Sequence, residues 1–321
     1  MFLRQWPKEG QKVSLAGPVD DEGNPTTFEW KVKPTINTSR FSALRIQDMM
    51  ILHILKQNRW RKPIYFAVTV SPDNKLGLER FLRMDGLAFK VLSTSPIPIK
   101  SDGAAQRLEP LYPELIVPMK IEENLVKNYK YRKLDDPDVY LNPSIKRLLQ
   151  NYRSAFLQLG YHYMLDGNKS KLAGLLESME KVMPESVIEV QSKMAQLQIG
   201  AMEKKAGFPE KMRVRLEKLV ANPRNTFNDK MIYGSYYMRD LEDYKTAAEI
   251  FSELVGEKSN SGRAVGMLVS AYELGGEYES AANVLREWLV NYPADSNARL
   301  RMNELRAKIK TAGESAPGDN P

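Results

Sequence analysis

Residues 263–293 read RAVGMLVSAYELGGEYESAANVLREWLVNYP. Apolar residues recur at helical spacing on both sides of Gly275-Gly276, and Pro293 stops the second run. Two helices joined by a tight turn are expected. Tyr272 lies near the end of the first helix, Tyr278 and Ala281 open the second, and Pro293 closes it. The small residue matters because paired helices cross closely there and leave no room for a longer side chain. About 34 residues earlier the same face returns, with Ala247 between Tyr244 and Phe251.

Large, turn, large, small and stop, at that period, is the tetratricopeptide pattern. A further copy is carried by Leu159, Gly160, Tyr163, Gly167 and Pro184, with Leu172 in place of the small residue. Between the copies, 187–223 is degenerate: Phe208 and Pro223 fit, but Lys211 takes the small-residue place. Asn142-Pro143-Ser144 supplies a cap and a helix-compatible proline at the start. Asn297 to Ile309, with Leu300 and Leu305, is an amphipathic helix suited to covering the open end. The expected solenoid occupies 144–311, and a disordered tail occupies 312–321.

The rest of the chain reads differently. Residues 1–40 are rich in turn signals and hold one extended run, 26–32, where Phe28, Trp30 and Val32 alternate as in a half-buried strand. From 39 to 58 a helix is expected, with Leu44, Met50 or Ile51, and Ile54 or Leu55 inward and Ser39 or Ser42 as its cap. The apolar run 63–70 reads as a strand covered on both faces. Residues 76–84 read as a short helix with Leu78, Phe81 and Leu82 inward, and 87–93 as another strand. The fold class expected is therefore α+β, mostly α: a small α/β domain over 1–120, with 26–32 in the same sheet, and a helical solenoid after it. Proline-rich 94–118 is an irregular connection, and 121–143 is a linker.

Composition limits the chemistry. The chain has 321 residues, enough for two cores, and no cysteine, which removes disulfides, thiolate metal sites and thiol nucleophiles. Its two histidines, His53 and His162, lie far apart on separate predicted helices, so neither a metal site nor a histidine-based triad is expected. The net charge is +7, of which residues 1–140 carry +5 (22 basic, 17 acidic). The basic stretches 58–63 and 127–133 interleave with aromatics, yet no nucleic-acid recognition motif accompanies them. A solvated face, or a surface near anionic lipid, is the better reading. No run is long and apolar enough for a membrane helix, and the first twelve residues lack the apolar core of a signal peptide. No phosphate-binding glycine loop and no nucleophile elbow occurs, so no cofactor is expected. Asp20-Asp21-Glu22 and Asp135-Asp136 could serve as paired carboxylates, but both lie in turn-rich stretches and read as solvated turns.

The stretch 44–72, LRIQDMMILHILKQNRWRKPIYFAVTVSP, resembles the soluble C-terminal region of bacterial multi-pass membrane proteins. Those proteins are related to the membrane-embedded protein O-mannosyltransferases, which are glycosyltransferase-C-like. The resemblance continues through Gly77-Leu78, Gly86-Leu87, a shifted Tyr131-Arg132-Lys133-Leu134-Asp135, Val139-Tyr140 and Asn151-Tyr152-Arg153, and Lys62 stands where arginine is common. It covers about 26–186. It implies a tail facing the periplasm at the inner membrane, with the membrane-embedded transferase region, and the acidic residues that transfer sugar, missing from this chain.

Two functions are expected from different classes. One is a non-catalytic accessory module of a membrane protein O-glycosyltransferase-like protein, presenting an acceptor or partner protein. The alternative is a free-standing tetratricopeptide scaffold that binds a peptide or protein partner, which would be cytoplasmic. No catalytic or metal residue is assigned. The candidate interaction residues are Asn58, Arg59, Trp60 and Arg61, where a helix end meets a strand, and Tyr233, Tyr236, Tyr237 and Tyr272, which could line a groove in the solenoid. For the first set the plain reading is that Trp60 packs helix on sheet. For the tyrosines it is that they are core, although adjacent Tyr236 and Tyr237 cannot both face inward.

Overall fold

The computed structural model describes residues 6–94, 116–258 and 260–314. The chain folds as two compact units, Met1–Ala195 and Gln196–Pro321. A small sheet region is followed by a tetratricopeptide-like run of helices.

The first unit opens with a hairpin that sequence patterning half revealed. Strand β1 (Gln11–Val19) pairs antiparallel with β2 (Pro25–Val32), placing Val13 opposite Trp30 and Leu15 opposite Phe28. The alternation in β2 holds, for Phe28, Trp30 and Val32 are all buried. The hairpin is a sheet of its own, not part of the sheet downstream, which corrects the expectation. Asp20 shapes its turn by accepting from the backbone N–H groups of Glu22 (3.0 Å) and Asn24 (2.7 Å). These carboxylate oxygens close a turn, and the Asn24 amide is shared between Asp20 (3.3 Å) and Glu22 (3.4 Å).

A two-residue pair, β3 (Ile36–Asn37) with β4 (Ser42–Ala43), leads into helix α1 (Ile46–Asn58). The helix starts at Arg45 rather than at Ser39 or Ser42, because Asp48 in its first turn accepts the Arg45 backbone N–H at 2.9 Å. Leu44 is buried ahead of the helix, and Leu55 within it, while Met50 and Ile54 turn outward. The third sheet is three-stranded and antiparallel in the order β5 (Tyr65–Ala67), β7 (Ala88–Val91), β6 (Leu82–Met84). Strand β5 is a short edge with Tyr65 exposed, not the doubly covered strand expected from 63–70. The helix expected over 76–84 is instead one 3-10 turn, Glu79–Phe81, running into β6. Leu78 and Leu82 still point inward, since apolar demand was read correctly and only the backbone period was not.

The expected irregular connection 94–118 lies largely outside the described residues. Helix α2 (Pro118–Glu122) passes into a π-helical stretch, Glu123–Asn128, burying Ile121 and Leu125. Helices α3 (Pro143–Leu165) and α4 (Lys169–Val182) form the first helical pair. Arg153, only 2% exposed, ties this pair to the chain that follows. Its guanidinium donates to the carbonyls of Met183 (3.0 Å), Ile188 (2.8 Å) and Glu189 (3.3 Å).

The second unit contains α5 (Lys193–Ala206, entering from the first), α6 (Pro209–Val220), α7 (Phe227–Arg239), α8 (Tyr244–Glu257), α9 (Gly262–Leu274), α10 (Tyr278–Asn291) and α11 (Ser296–Glu314). One device recurs in all four pairs. A residue with positive φ stands two places before the second helix: Gly167, Gly207, Glu242 and Gly276. Five places after each stands the small-residue position, which is Leu172, Met212, Ala247 and Ala281 in turn. All four are buried. In the second repeat this position is therefore Met212, not exposed Lys211. There the small partner has moved to the first helix, since a Cβ on Gly200 would meet Met212 Cγ at 3.3 Å. Helix α11 covers the end with Ala298, Met302 and Leu305, while Leu300 faces outward, 61% exposed. The helix runs to Glu314, into the expected tail, and 315–321 fall outside the described residues.

Candidate interaction surface

The end of α1 is a tightly determined corner. Arg59 and Trp60 both adopt positive φ, 44° and 59°, conformations that L-residues take only when their surroundings enforce them. The enforcement comes from Asn58, whose amide Nδ2 donates to the Lys62 carbonyl at 2.7 Å while its Oδ1 accepts the Lys62 N–H at 3.3 Å. Trp60 Nε1 donates to the Ala16 carbonyl at 3.0 Å, and its ring meets Phe28 edge-on at 5.1 Å. Trp60 is thus a buttress between helix and hairpin. Arg59 and Arg61 are left on the surface.

The four tyrosines do not line a common surface. Tyr233 and Tyr237 are buried, at 1% and 3% exposure. Tyr236 is half-buried against the same core, and Tyr272 bridges two clusters of core side chains. Burial pushes the phenols of Tyr236 and Tyr237 above the ordinary value, with Asp240 adding to the first and Glu217 to the second. These rings hold helices together. Adjacent residues can both be largely covered here because neighbours pack on α7 from two sides.

A concave feature of the second unit lies away from these tyrosines. A hollow of about 360 Å³ is lined by Val220 and Ala221 at the end of α6, Asn222, Pro223 and Asn225 in the following loop, Lys230 of α7, and Ile250, Glu253 and Glu257 of α8. Asn225 closes one wall, its Nδ2 donating to the carbonyls of Leu219 (2.6 Å) and Val220 (3.1 Å). Lys230 Nζ reaches both Glu253 and Glu257 at 2.6 Å. These bonds hold the ammonium above its ordinary pKa, so it stays charged. Lys230 is the least exposed of the three, and the carboxylates, 60% and 43% exposed, present the hollow's outer edge. The site combines a mainly polar lining, with Val220, Pro223 and Ile250 among its apolar members, and one net negative charge. Among the described residues no group of three or more His, Asp or Glu side chains is placed to hold a metal ion.

This hollow was missed in the sequence, although a signal existed. Two glutamates four apart on one helix face repel unless a cation lies between them. Nothing along the chain says that the cation is Lys230, 23 residues before Glu253.

Comparison with known proteins finds two likenesses, each to part of the chain. Residues 24–110, which hold β2, α1 and the three-stranded sheet, match the family model of TMEM260-associated domain 2. Among solved structures, a tetratricopeptide repeat protein from Parabacteroides merdae is similar at 16% identity, covering 61% of this chain and 69% of that one with a TM-score of 0.37. No curated protein matches the chain.

Proposed function

We propose that this chain is a non-catalytic interaction module of a membrane O-glycosyltransferase-like protein, working at the periplasmic face of the inner membrane. Its helical repeats present an acceptor or partner protein to a membrane-embedded transferase region. The observation that carries the reading is the hollow beside Lys230. It offers two exposed carboxylates at a mixed polar and apolar hollow, which suit a protein segment that places a Lys or Arg side chain against the outer sides of Glu253 and Glu257, their inner oxygens being held by Lys230. The match of 24–110 to a TMEM260-associated domain supports the membrane-protein context, as does the resemblance carried by 44–72.

The test is photocrosslinking in native membranes from a reactive residue at Ala221, on the rim of the hollow. A discrete adduct with a second polypeptide is expected, and Glu253→Lys with Glu257→Lys should remove it while helical circular dichroism is kept. An adduct indifferent to charge reversal would sink the hollow as the site. Recovery of the chain away from any multi-spanning transferase-like polypeptide would replace the accessory role with a free-standing scaffold.

A further inference from the structure

Helix α1 has two apolar faces and only one of them is covered. Asp48 and Leu55 are buried, and Ile51 and Leu52 pack on the core beneath. On the opposite side lie 46, 49, 50, 53, 54 and 57, which helical geometry places on one face. Four of these are large and apolar, with Ile46 exposed at 72%, Met49 at 42%, Met50 at 56% and Ile54 at 49%. His53 and Gln57 interrupt this stripe, but four large apolar side chains on the free side of one helix call for a second apolar phase against them. Phe41, on the turn just before the helix, is a fifth exposed apolar side chain, at 44%.

The charge flanking this face along the chain is nearly all positive, with exposed Asp73 brought against the first turn through Arg45. Between Glu29 and Asp73 the chain carries eight basic residues and a single acidic one, Asp48. That acid is buried and bonded to Arg45, so it contributes nothing to the surface. Arg40 before the helix, Lys56 on its last turn, and Arg59, Arg61 and Lys62 after it are all exposed. Three of these cations, Arg59, Arg61 and Lys62, follow directly on the last helical residue, Asn58, at the positive-φ corner.

We propose that the free face of α1 is a docking surface for an anionic phospholipid bilayer, on which the helix lies in the interfacial plane. Ile46, Met49, Met50 and Ile54 enter the acyl boundary, and the flanking cations meet headgroup phosphates. Apolar contact and anionic attraction together are what interfacial binding requires. A protein partner for this face would need a basic-avoiding, acidic and apolar surface, whereas a bilayer with anionic lipid supplies both phases at once.

The experiment is vesicle co-sedimentation of the full chain. Vesicles of phosphatidylcholine with about 30 mol% phosphatidylglycerol should bind it, and pure phosphatidylcholine should bind roughly tenfold more weakly. Met50→Asp with Ile54→Asp, both at exposed positions, should lower binding at least about tenfold with circular dichroism unchanged. Arg61→Glu with Lys62→Glu should lower it similarly and remove its sensitivity to about 0.5 M salt. Equal binding to both vesicle types, or binding untouched by the aspartates, overturns the proposal. So does a dimer in solution that Met50→Asp dissociates, because the face would then belong to a second copy of the chain.

Discussion

The sheet region of the first unit and the helical repeats of the second reach stable cores by opposite routes. In the sheet region the decisive contacts join residues far apart in sequence: Trp30 Nε1 donates to the Leu76 carbonyl at 3.0 Å, and Trp60 Nε1 to that of Ala16. Phe28 alone stacks or edges against Trp30, Trp60 and Phe81. From α7 to α11 each helix packs mainly on the next, and a positive-φ residue precedes the second helix of every pair. Even the longer ties, such as Arg301 to Glu273 at 2.9 Å, connect helices two apart. The difference teaches where damage should spread. A hub holds many segments at once, whereas a stack transmits only to its neighbours.

The largest effect is expected from Phe28→Ala, which should cost about 3–5 kcal/mol. Hydrogen exchange should show protection lost across 11–91 while amides of α7 to α10 keep theirs. Uniform loss would break the comparison. Next in size is the acid response of Asp48. Burial raises its pKa, but bonds from Arg45 and Thr35 outweigh this and hold the carboxyl below the ordinary aspartate range. A depressed carboxylate contributes stability that is complete above its unfolded pKa and disappears as pH falls through the folded one. Denaturation midpoints should therefore drop for this reason only below about pH 4, and Asp48→Asn should flatten that limb.

Two glycine substitutions sharpen the comparison within the stack. A Cβ on Gly234 would lie 2.7 Å from the Phe251 ring, so Gly234→Ala should destabilise by about 1–3 kcal/mol in thermal denaturation. Gly266 sits inside α9 with nothing within 4 Å of a built Cβ. Gly266→Ala should stabilise by about 0.5–1 kcal/mol, the smallest effect of the set. Opposite signs from one chemical change would show that helices approach closely at Gly234 in the α7–α8 contact and not at Gly266. A loss at Gly266 would mean that its face is covered.

Legibility followed the same division. Ala247, Ala281, Tyr163 and Leu159 could be placed in a core because a repeat states its own register, and each copy checks the others. The misplacement of Lys211 for Met212 arose where no second copy agreed. The candidate tyrosines were legible as helix residues but not as surface ones. Whether Tyr236 or Tyr233 sees solvent depends on which neighbours flank α7.

The chain by itself determined the helical pairs, their turns at Gly167 and Gly276, and the buried alternation of β2. Each of these follows from backbone preference and local apolar period, acting within a few residues. Tertiary structure alone decided that 26–32 pairs with an unforeseen β1, that 76–84 turns into a strand, and that Lys230 meets Glu253 and Glu257. It also decided that one face of α1 is left open. Those outcomes depend on which distant side chains arrive at the same place, and a buried carboxylate or an exposed methionine is defined only by what surrounds it.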